Sequence, residues 1–199
     1  MAVGRRPALD SLNFAEAGIA VTPRGVVTDS DMQTSVPGIY AIGDVTGGCM
    51  LAHAATFQGR RALNHIFAGC PSGGVVDGIR LDLIPAAVFT SPEAATVGLT
   101  EDECVSSGRP FKVLKSTFRS NGKAVAMGQT DGFCKVIVSE GDGRLIGCHL
   151  FGPHSSDIIH EAAALMAKGA VAEDLFSLIH AHPTLPEVLL SASEDIRIS

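Results

Sequence analysis

The stretch FCKVIVSEGDGRLIGCHLFG, residues 133–152, decides the fold of the second half of the chain. It contains two β-prone runs on either side of Gly141-Asp142-Gly143, a sequence typical of a chain reversal. The stretch therefore predicts a β-hairpin. A helix is expected to follow from about Ser155 to Lys168, because apolar side chains recur there at helical spacing and Gly169 is a suitable stop.

The flanking sequence extends this pattern to a whole domain. Strands are predicted in IPAAVFTSP and ATVGLT, which flank the Ser91-Pro92 turn, and in FKVLKSTF. Short helices are predicted over Glu101–Ser107 and Glu173–Ile179, whereas residues 120–131 are expected to form a loop. Since the strands come first and the helices follow, we expect an α+β fold with an antiparallel sheet.

The first half reads differently, as short strands followed by one long helix. Residues 20–31 predict two small strands joined by a hairpin, and Ile39–Ile42 is an apolar run of the kind buried in a parallel sheet. A helix is predicted from Met50 to about Ala68, and the Gly- and Pro-rich run at Gly69–Gly78 marks a linker or domain boundary. The expected packing side of the helix is formed by Ala54, Ala55, Phe57, Ala62, Leu63 and Ile66.

Composition limits the classes of function. Hydrophobic residues make up 46% of the 199-residue chain and charged residues 18%, which is typical of a globular protein. The net charge of −6 comes without a basic cluster, so nucleic acid and anionic membrane surfaces are not expected as partners. The sequence has neither an apolar run of membrane-spanning length nor the pattern of a signal peptide at its start. We therefore expect a cytoplasmic protein.

The five cysteines are odd in number and widely spread along the chain: Cys49, Cys70, Cys104, Cys134 and Cys148. Their spacing matches neither a CxxC redox motif nor a zinc site, and no metal site is predicted. We expect free, structural thiols in a reducing compartment.

The stretch HAHPTLPE, residues 180–187, places an imidazole and a carboxylate on either side of a stiff chain reversal. Pro183 disfavours a helical conformation at His182, and Thr184 is a suitable N-cap for a helix whose third residue is Glu187. A carboxylate held against an imidazole fixes its tautomer and favours the imidazolium, as in a general base that works near neutral pH. Alternatively, T-x-x-E is a capping box, in which Glu187 accepts a hydrogen bond from a backbone N–H. Spacing alone leaves both interpretations open.

A second group of candidate residues lies around TSVPGIYAIGDVTGG, residues 34–48. Asp44 follows the apolar run and precedes glycines, a position suited to accepting hydrogen bonds from the hydroxyl groups of a ligand. The helix that opens near Met50 offers free backbone N–H groups to a carbonyl or phosphate. The alternative for Asp44 is a plain residue of a Gly-rich turn, and His53 taken alone fits local hydrogen bonding better than metal binding.

Together these motifs resemble the pyridine nucleotide-disulfide oxidoreductase family, and most closely its members that oxidise dihydrolipoamide. TSVPGIYAIGD is similar to the family's second FAD motif, CMLAHAA to the segment that meets the flavin, and HAHPTLPE to the motif of the active-site base. The resemblance covers essentially the whole chain, with the motifs in the family's order. It implies that Asp44 binds the ribityl chain of FAD and that Met50, Leu51, Ala52 and His53 line the flavin.

For the active site, the resemblance implies that His182 is the acid/base and Glu187 its partner. The family's reaction takes electrons from a dithiol to a disulfide, to FAD and then to NAD. The resemblance also implies a homodimer, in which His182 serves the other subunit, and a small dithiol or disulfide substrate such as the lipoyl groups of a 2-oxo acid dehydrogenase complex.

The resemblance further assigns domains. Residues 1–80 resemble the last segment of a Rossmann-like FAD-binding domain, with residues 1–7 as the crossing from the NAD domain. Residues 81–199 resemble the interface, or dimerisation, domain.

Three motifs of the family have no counterpart in the sequence: a GxGxxG loop for FAD, a CxxxxC redox pair and a second glycine-rich loop for NAD. We therefore expect a C-terminal fragment that is inactive and colourless by itself. The alternatives are a dimerisation module without activity, or part of a related flavin reductase of the glutathione reductase, mercuric reductase or soluble transhydrogenase type.

Overall fold

The computed structural model describes residues 4–10, 12–70, 74 and 77–194. Parts of the predicted crossing at residues 1–7 and of the predicted linker at Gly69–Gly78 lie outside these residues. The chain forms two compact units, Met1–Leu81 and Asp82–Ser199. Within the described ranges, no helix is long and apolar enough to cross a membrane.

A small hairpin and one long helix are the main regular elements of the first unit. Strands β1 (Val21–Thr22) and β2 (Gly25–Val26) pair in antiparallel fashion, which confirms the predicted hairpin. Gly25 is required by a close approach, since a Cβ atom there would overlap the backbone of Thr46. Helix α1 spans Ala52–Phe67, close to its predicted bounds.

The apolar run Ile39–Ile42 does not form the buried parallel strand that was predicted. Its one β-bridge in the described structure is antiparallel, between Tyr40 and Gln33, and Ile39 and Ile42 are 39% and 41% exposed. The prediction is wrong because a short apolar run does not reveal whether other strands flank it. The described part of this unit places no strand on either side.

The packing side of α1 is also partly different from the predicted one. Ala54 and Ala62 are buried as expected, but Phe57, Leu63 and Ile66 are 42%, 51% and 44% exposed. The apolar positions of the helix therefore do not define the side that it buries within this unit.

Two polar side chains of α1 are buried instead, because each has a hydrogen-bond partner. Gln58 Oε1 accepts a hydrogen bond from the Gly43 N–H at 2.7 Å, and His65 Nδ1 lies 2.9 Å from the hydroxyl oxygen of Tyr40. Buried polar groups are tolerated when they are hydrogen-bonded. The available partners, which the sequence does not reveal, decide the orientation of this helix.

The second unit contains a five-stranded antiparallel sheet, in the order β3-β4-β7-β6-β5. Its strands are β3 (Ala86–Val88), β4 (Glu93–Gly98), β5 (Phe111–Thr117), β6 (Phe133–Ser139) and β7 (Leu145–Gly152). The predicted strands, the β6–β7 hairpin and the α+β fold class are thereby confirmed.

Five helices accompany this sheet: α2 (Glu101–Ser106), α3 (Gly122–Met127), α4 (Ser155–Ala167), α5 (Ala172–Ser177) and α6 (Glu187–Ser193). Helix α4 packs on β4 and β7, and α6 packs on β5 and β6. The hydrophobic core of the unit, which includes Val136, Ile159 and Leu189, lies between the sheet and these helices.

Helix α3 lies in the segment 120–131, which was predicted to be a loop. Asn121 caps it, with Oδ1 accepting a hydrogen bond from the Ala124 N–H at 3.0 Å, and Gly128 ends it in the left-handed conformation. The prediction is wrong because six residues are too few to show an apolar periodicity. The cap and the glycine were the available signals.

Gly147 in β7 offers a test of the close packing of this unit. A Cβ atom at Gly147 would overlap the carbonyl oxygen of Leu99. The backbone of Leu99 is held in place, since its N–H donates a hydrogen bond to the Ile146 carbonyl at 2.8 Å. Gly147→Ala is expected to lower the free energy of unfolding by about 1–3 kcal/mol, because backbone must move to admit the methyl group. Chemical denaturation of the chain measures this change.

The matched control is Gly141→Ala in the turn between β6 and β7, where an added Cβ has open space. We expect this surface change to stay within about 0.5 kcal/mol of the parent. Equal stabilities of the two variants would contradict the predicted clash.

Candidate active site

The structure brings His182 and Glu187 into contact. His182 Nδ1 lies 2.8 Å from Glu187 Oε1, and the His182-Pro183 peptide bond is cis. The other carboxylate oxygen, Oε2, accepts a hydrogen bond from the Thr184 N–H at 2.6 Å. Glu187 therefore serves the imidazole and a backbone N–H at once, so the two interpretations of the motif do not exclude each other.

The helix after the motif begins later than predicted. Helix α6 starts at Glu187 with Pro186 in the N-cap position, instead of at Leu185 after a Thr184 cap. The Thr184 hydroxyl does not cap the helix because it donates a hydrogen bond to the Ala181 carbonyl at 2.7 Å. The predicted capping box therefore forms in part, through the hydrogen bond from the Thr184 N–H to the Glu187 carboxylate.

The contact with Glu187 determines which nitrogen of His182 is available. The backbone N–H of Thr184 and, next, His182 hold the pKa of the Glu187 carboxyl below its usual value, so it is ionised near neutral pH. An ionised carboxylate can only accept, and Nδ1 therefore carries the shared proton. Nε2 has no hydrogen-bond partner among the described residues, and the His182 side chain is 77% exposed. Nε2 is thus the atom that can take up a proton from a substrate.

Asn121, which the sequence analysis missed, holds the backbone on the far side of His182. Its side-chain amide donates hydrogen bonds to the carbonyl oxygens of Thr184 at 3.0 Å and Leu185 at 3.3 Å, while its Oδ1 caps α3. Asn121 is 6% exposed, and both ends of its amide are used. An asparagine before a short helix predicts a cap but not a contact with a residue 63 positions later.

The second group of candidate residues belongs to the first unit, where Asp44 occupies a 3₁₀ turn over Gly43–Thr46. Its carboxylate is exposed and has no hydrogen-bond partner among the described residues. The turn rests on α1: the Gly43 N–H bonds to Gln58, and a Cβ atom at Gly43 would lie 3.2 Å from that of Ala55. The structure therefore brings the Asp44 turn and the first turns of α1 together.

Met50, Leu51, Ala52 and His53 form the entry to α1. Met50 and Leu51 are half-buried, whereas Ala52 and His53 are exposed. Leu51 is the N-cap residue of the helix, and its side chain makes no capping hydrogen bond. This entry and Asp44 belong to the first unit, and the His182–Glu187 pair belongs to the second.

All five cysteines are free thiols, as predicted. Cys104, Cys134 and Cys148 are buried in the second unit. A hydrogen bond with Cys148, followed by burial, holds the pKa of the Cys134 thiol well above its usual value, so this thiol stays protonated and unreactive.

Two family descriptions match the chain. "Pyridine nucleotide-disulphide oxidoreductase, dimerisation domain" matches residues 84–193, and "Pyridine nucleotide-disulphide oxidoreductase" matches residues 1–59.

Known relatives are similar to most of the chain. The chain is 44% identical over 193 residues to a dihydrolipoyl dehydrogenase from Geobacillus stearothermophilus, a match that covers 96% of this chain and 40% of the relative. It is 43% identical over 193 residues to a dihydrolipoyl dehydrogenase from Bacillus subtilis, with the same coverage. The chain thus spans 40% of the length of these relatives.

Solved structures resemble the chain as well. LpdA from Mycobacterium tuberculosis has a TM-score of 0.85 at 28% identity, over 98% of this chain and 42% of that one. The HOCl-induced flavoprotein disulfide reductase RclA from Escherichia coli, in its Cu(II) complex, has a TM-score of 0.83 at 28% identity, over 98% of this chain and 44% of that one. With its dimerisation-domain match spanning more than half of the residues, the chain belongs to the pyridine nucleotide-disulphide oxidoreductase family.

Proposed function

We propose that the chain is part of an FAD-dependent disulfide oxidoreductase, most closely a dihydrolipoamide dehydrogenase, to which it contributes the acid/base pair. The observation that carries the proposal is the bond of 2.8 Å between His182 Nδ1 and Glu187, which leaves Nε2 exposed and without a described partner. Relatives named dihydrolipoyl dehydrogenase, at 43–44% identity, support the choice of substrate class.

In the proposed reaction His182 takes a proton from a dithiol substrate. The S–H bond breaks, the proton moves to Nε2, and the sulfur keeps the electron pair as a thiolate, which is the nucleophilic form. Glu187 is already ionised, so it stabilises the imidazolium that forms. A positioned base of this kind contributes roughly 10²–10⁴-fold to a rate.

The first unit has features that fit part of an FAD site. The exposed Asp44 carboxylate, without a described partner, suits the ribityl hydroxyl groups, and the uncapped start of α1 suits a carbonyl or phosphate. Met50, Leu51, Ala52 and His53 would line the flavin. When bound, FAD accepts the two electrons that the dithiol gives up and passes them to NAD.

The domain roles and partners follow from the same proposal. Residues 1–80 are the last segment of an FAD-binding domain, with residues 1–7 as the crossing from an NAD domain, and residues 81–199 are the dimerisation domain. In the homodimer, His182 serves the flavin and disulfide of the other subunit. The substrate is a small dithiol, such as the lipoyl groups of a 2-oxo acid dehydrogenase complex, and the five free thiols fit a cytoplasmic location.

The acid/base role predicts the effect of His182→Gln in a complete flavoenzyme. A suitable protein is the Geobacillus stearothermophilus relative with its matched 40% replaced by this chain. The turnover of dihydrolipoamide is expected to fall by roughly 10²–10⁴-fold, because glutamine cannot take the proton. Steady-state kinetics with NAD as the electron acceptor measure this fall.

The control for this experiment is His160→Gln, the same chemical change at an exposed position on α4. We expect the control to keep the parent turnover. Unchanged turnover in His182→Gln would remove the catalytic role from this residue.

The position of Asn121 predicts that Asn121→Asp lowers turnover even though aspartate is an equally good cap. The substituted carboxylate places an acceptor against the carbonyl oxygens of Thr184 and Leu185, so the loop that holds His182 loses two hydrogen bonds. A buried unpaired acceptor costs about 1–3 kcal/mol, and the melting temperature is expected to fall as well.

Asn121→Ser separates the two roles, since it keeps a cap but introduces no buried carboxylate. We expect its turnover and its melting temperature to lie between those of the parent and of Asn121→Asp. Parent-like turnover in both variants would show that the contact with the loop does not matter.

A second candidate function is a dimerisation module without activity, favoured by the match of residues 84–193 to the family's dimerisation domain. It predicts that the purified chain sediments as a dimer and shows no flavin absorbance after incubation with FAD. A yellow protein that retains FAD through gel filtration would instead support an autonomous cofactor site.

A further inference from the structure

A second histidine–carboxylate pair lies beside the first in sequence, and it is less exposed than the first. His180 Nε2 lies 2.8 Å from Oε1 of Glu161 on α4, and His180 Nδ1 lies 3.0 Å from the carbonyl oxygen of Leu178. The His180 side chain is 6% exposed and that of Glu161 26%, whereas the His182 side chain is 77% exposed. The two histidines of the motif therefore occupy opposite environments.

Both contacts of His180 require protons. A carbonyl oxygen can only accept a hydrogen bond, so Nδ1 must donate to Leu178. Nε2 and the Glu161 carboxyl group then share one further proton, which lies on Nε2 when Glu161 is ionised. A neutral imidazole beside an ionised carboxylate would leave one of the two contacts without a hydrogen. His180 thus has no free nitrogen, in contrast to His182.

The contact between His180 and Glu161 joins the segment before His182 to helix α4. Residues 178–186 form neither a helix nor a strand. Leu178 and Ile179, which precede the histidines, are 40% and 96% exposed, so core packing does not fix the segment before His182. Beyond His182, the segment is held by Asn121 and by the bond between Thr184 and Glu187. Before His182, the side chain that reaches a neighbouring element is His180, two residues away.

Helix α4 is a firm support for this anchor, because it packs on β4 and β7. The charged or titratable side chains around the neighbouring cavity of about 520 Å³ are Lys123, His154, Asp157 and Glu161. Of these, His154 and Asp157 pair with each other at 3.3 Å, with exposed fractions of 55% and 80%. Glu161 is the carboxylate that reaches the motif.

We infer that His180 and Glu161 are a positioning pair, which holds the segment before His182 on α4 so that Nε2 of His182 meets the substrate in a fixed place. The inference rests on the proposed acid/base role of His182. A charged pair in a largely buried place is costly to break, since removal of one partner leaves the other charge uncompensated. The pair therefore fixes one geometry of the segment.

The protonation of the pair can be tested on the chain itself, without any activity. Long-range proton–nitrogen NMR spectra near neutral pH should show a hydrogen on both ring nitrogens of His180 and, at His182, on Nδ1. The Glu161→Gln variant should abolish the doubly protonated pattern at His180. An unprotonated ring nitrogen at His180 in the folded parent, together with an ionised Glu161, would overturn the assignment.

The positioning role can be tested by a double-mutant cycle in the complete flavoenzyme described above. His180→Gln and, as a milder change, Glu161→Gln should each lower kcat by roughly 10-fold or more with little change in the KM for NAD, because a small misplacement of a base is costly. In the His182→Gln background the same changes should have almost no further effect, since the base that they position is gone. Asp157→Asn, which alters the exposed pair on the same helix, should leave kcat within about twofold of the parent.

The outcomes separate the two proposals. If His182→Gln lowers turnover but the His180 and Glu161 variants lower it equally in both backgrounds, or not at all, the positioning role is wrong and the acid/base role stands. If His182→Gln has no effect, both proposals fail. A fall that is present in the parent background and absent in His182→Gln supports both.

Discussion

The chemistry of the second unit depends on one carboxylate with two tasks. Glu187 accepts the backbone N–H of Thr184 with one oxygen and the imidazole of His182 with the other. The first bond fixes the carboxylate at the start of α6 and lowers its pKa, and the second uses the resulting charge to orient the ring. The start of α6 and the His182–Glu187 contact are therefore parts of the same structure.

Neighbouring elements hold the segment that carries His182 in place. Asn121 of α3 and Glu161 of α4 contact it on the two sides of His182, and Ser116 of β5 donates a hydrogen bond to the carbonyl of Val188 just after it. These residues lie far apart in sequence, and the antiparallel sheet brings their elements together. A solvent-exposed imidazole can thus have a defined position although its own segment lacks regular structure.

The first unit is described by which side chains of its helix are buried and which are exposed. Its one long helix buries polar side chains that have partners and leaves several apolar side chains exposed, while the Asp44 turn is fixed on α1 through Gly43 and Gln58. A carboxylate without a described partner and an uncapped helix start are features that ligand groups can satisfy. Each can be tested separately from the His182–Glu187 pair.

The sequence by itself determined most of the elements and the candidate residues, but it missed α3. Alternating and helical apolar patterns identified the strands of the sheet and helix α4. The motif HAHPTLPE identified His182 and Glu187 as a candidate pair, although their spacing alone left a capping role for Glu187 open. The sequence did not determine which side of α1 is buried, whether Ile39–Ile42 forms a strand, or which residues Asn121 contacts. These three features depend on the hydrogen-bond partners and strands that other parts of the chain supply. Local sequence patterns carry no information about such distant partners. Only the tertiary structure showed that Glu187 makes both contacts, since a carboxylate has two oxygens and the loop geometry gives each of them a partner.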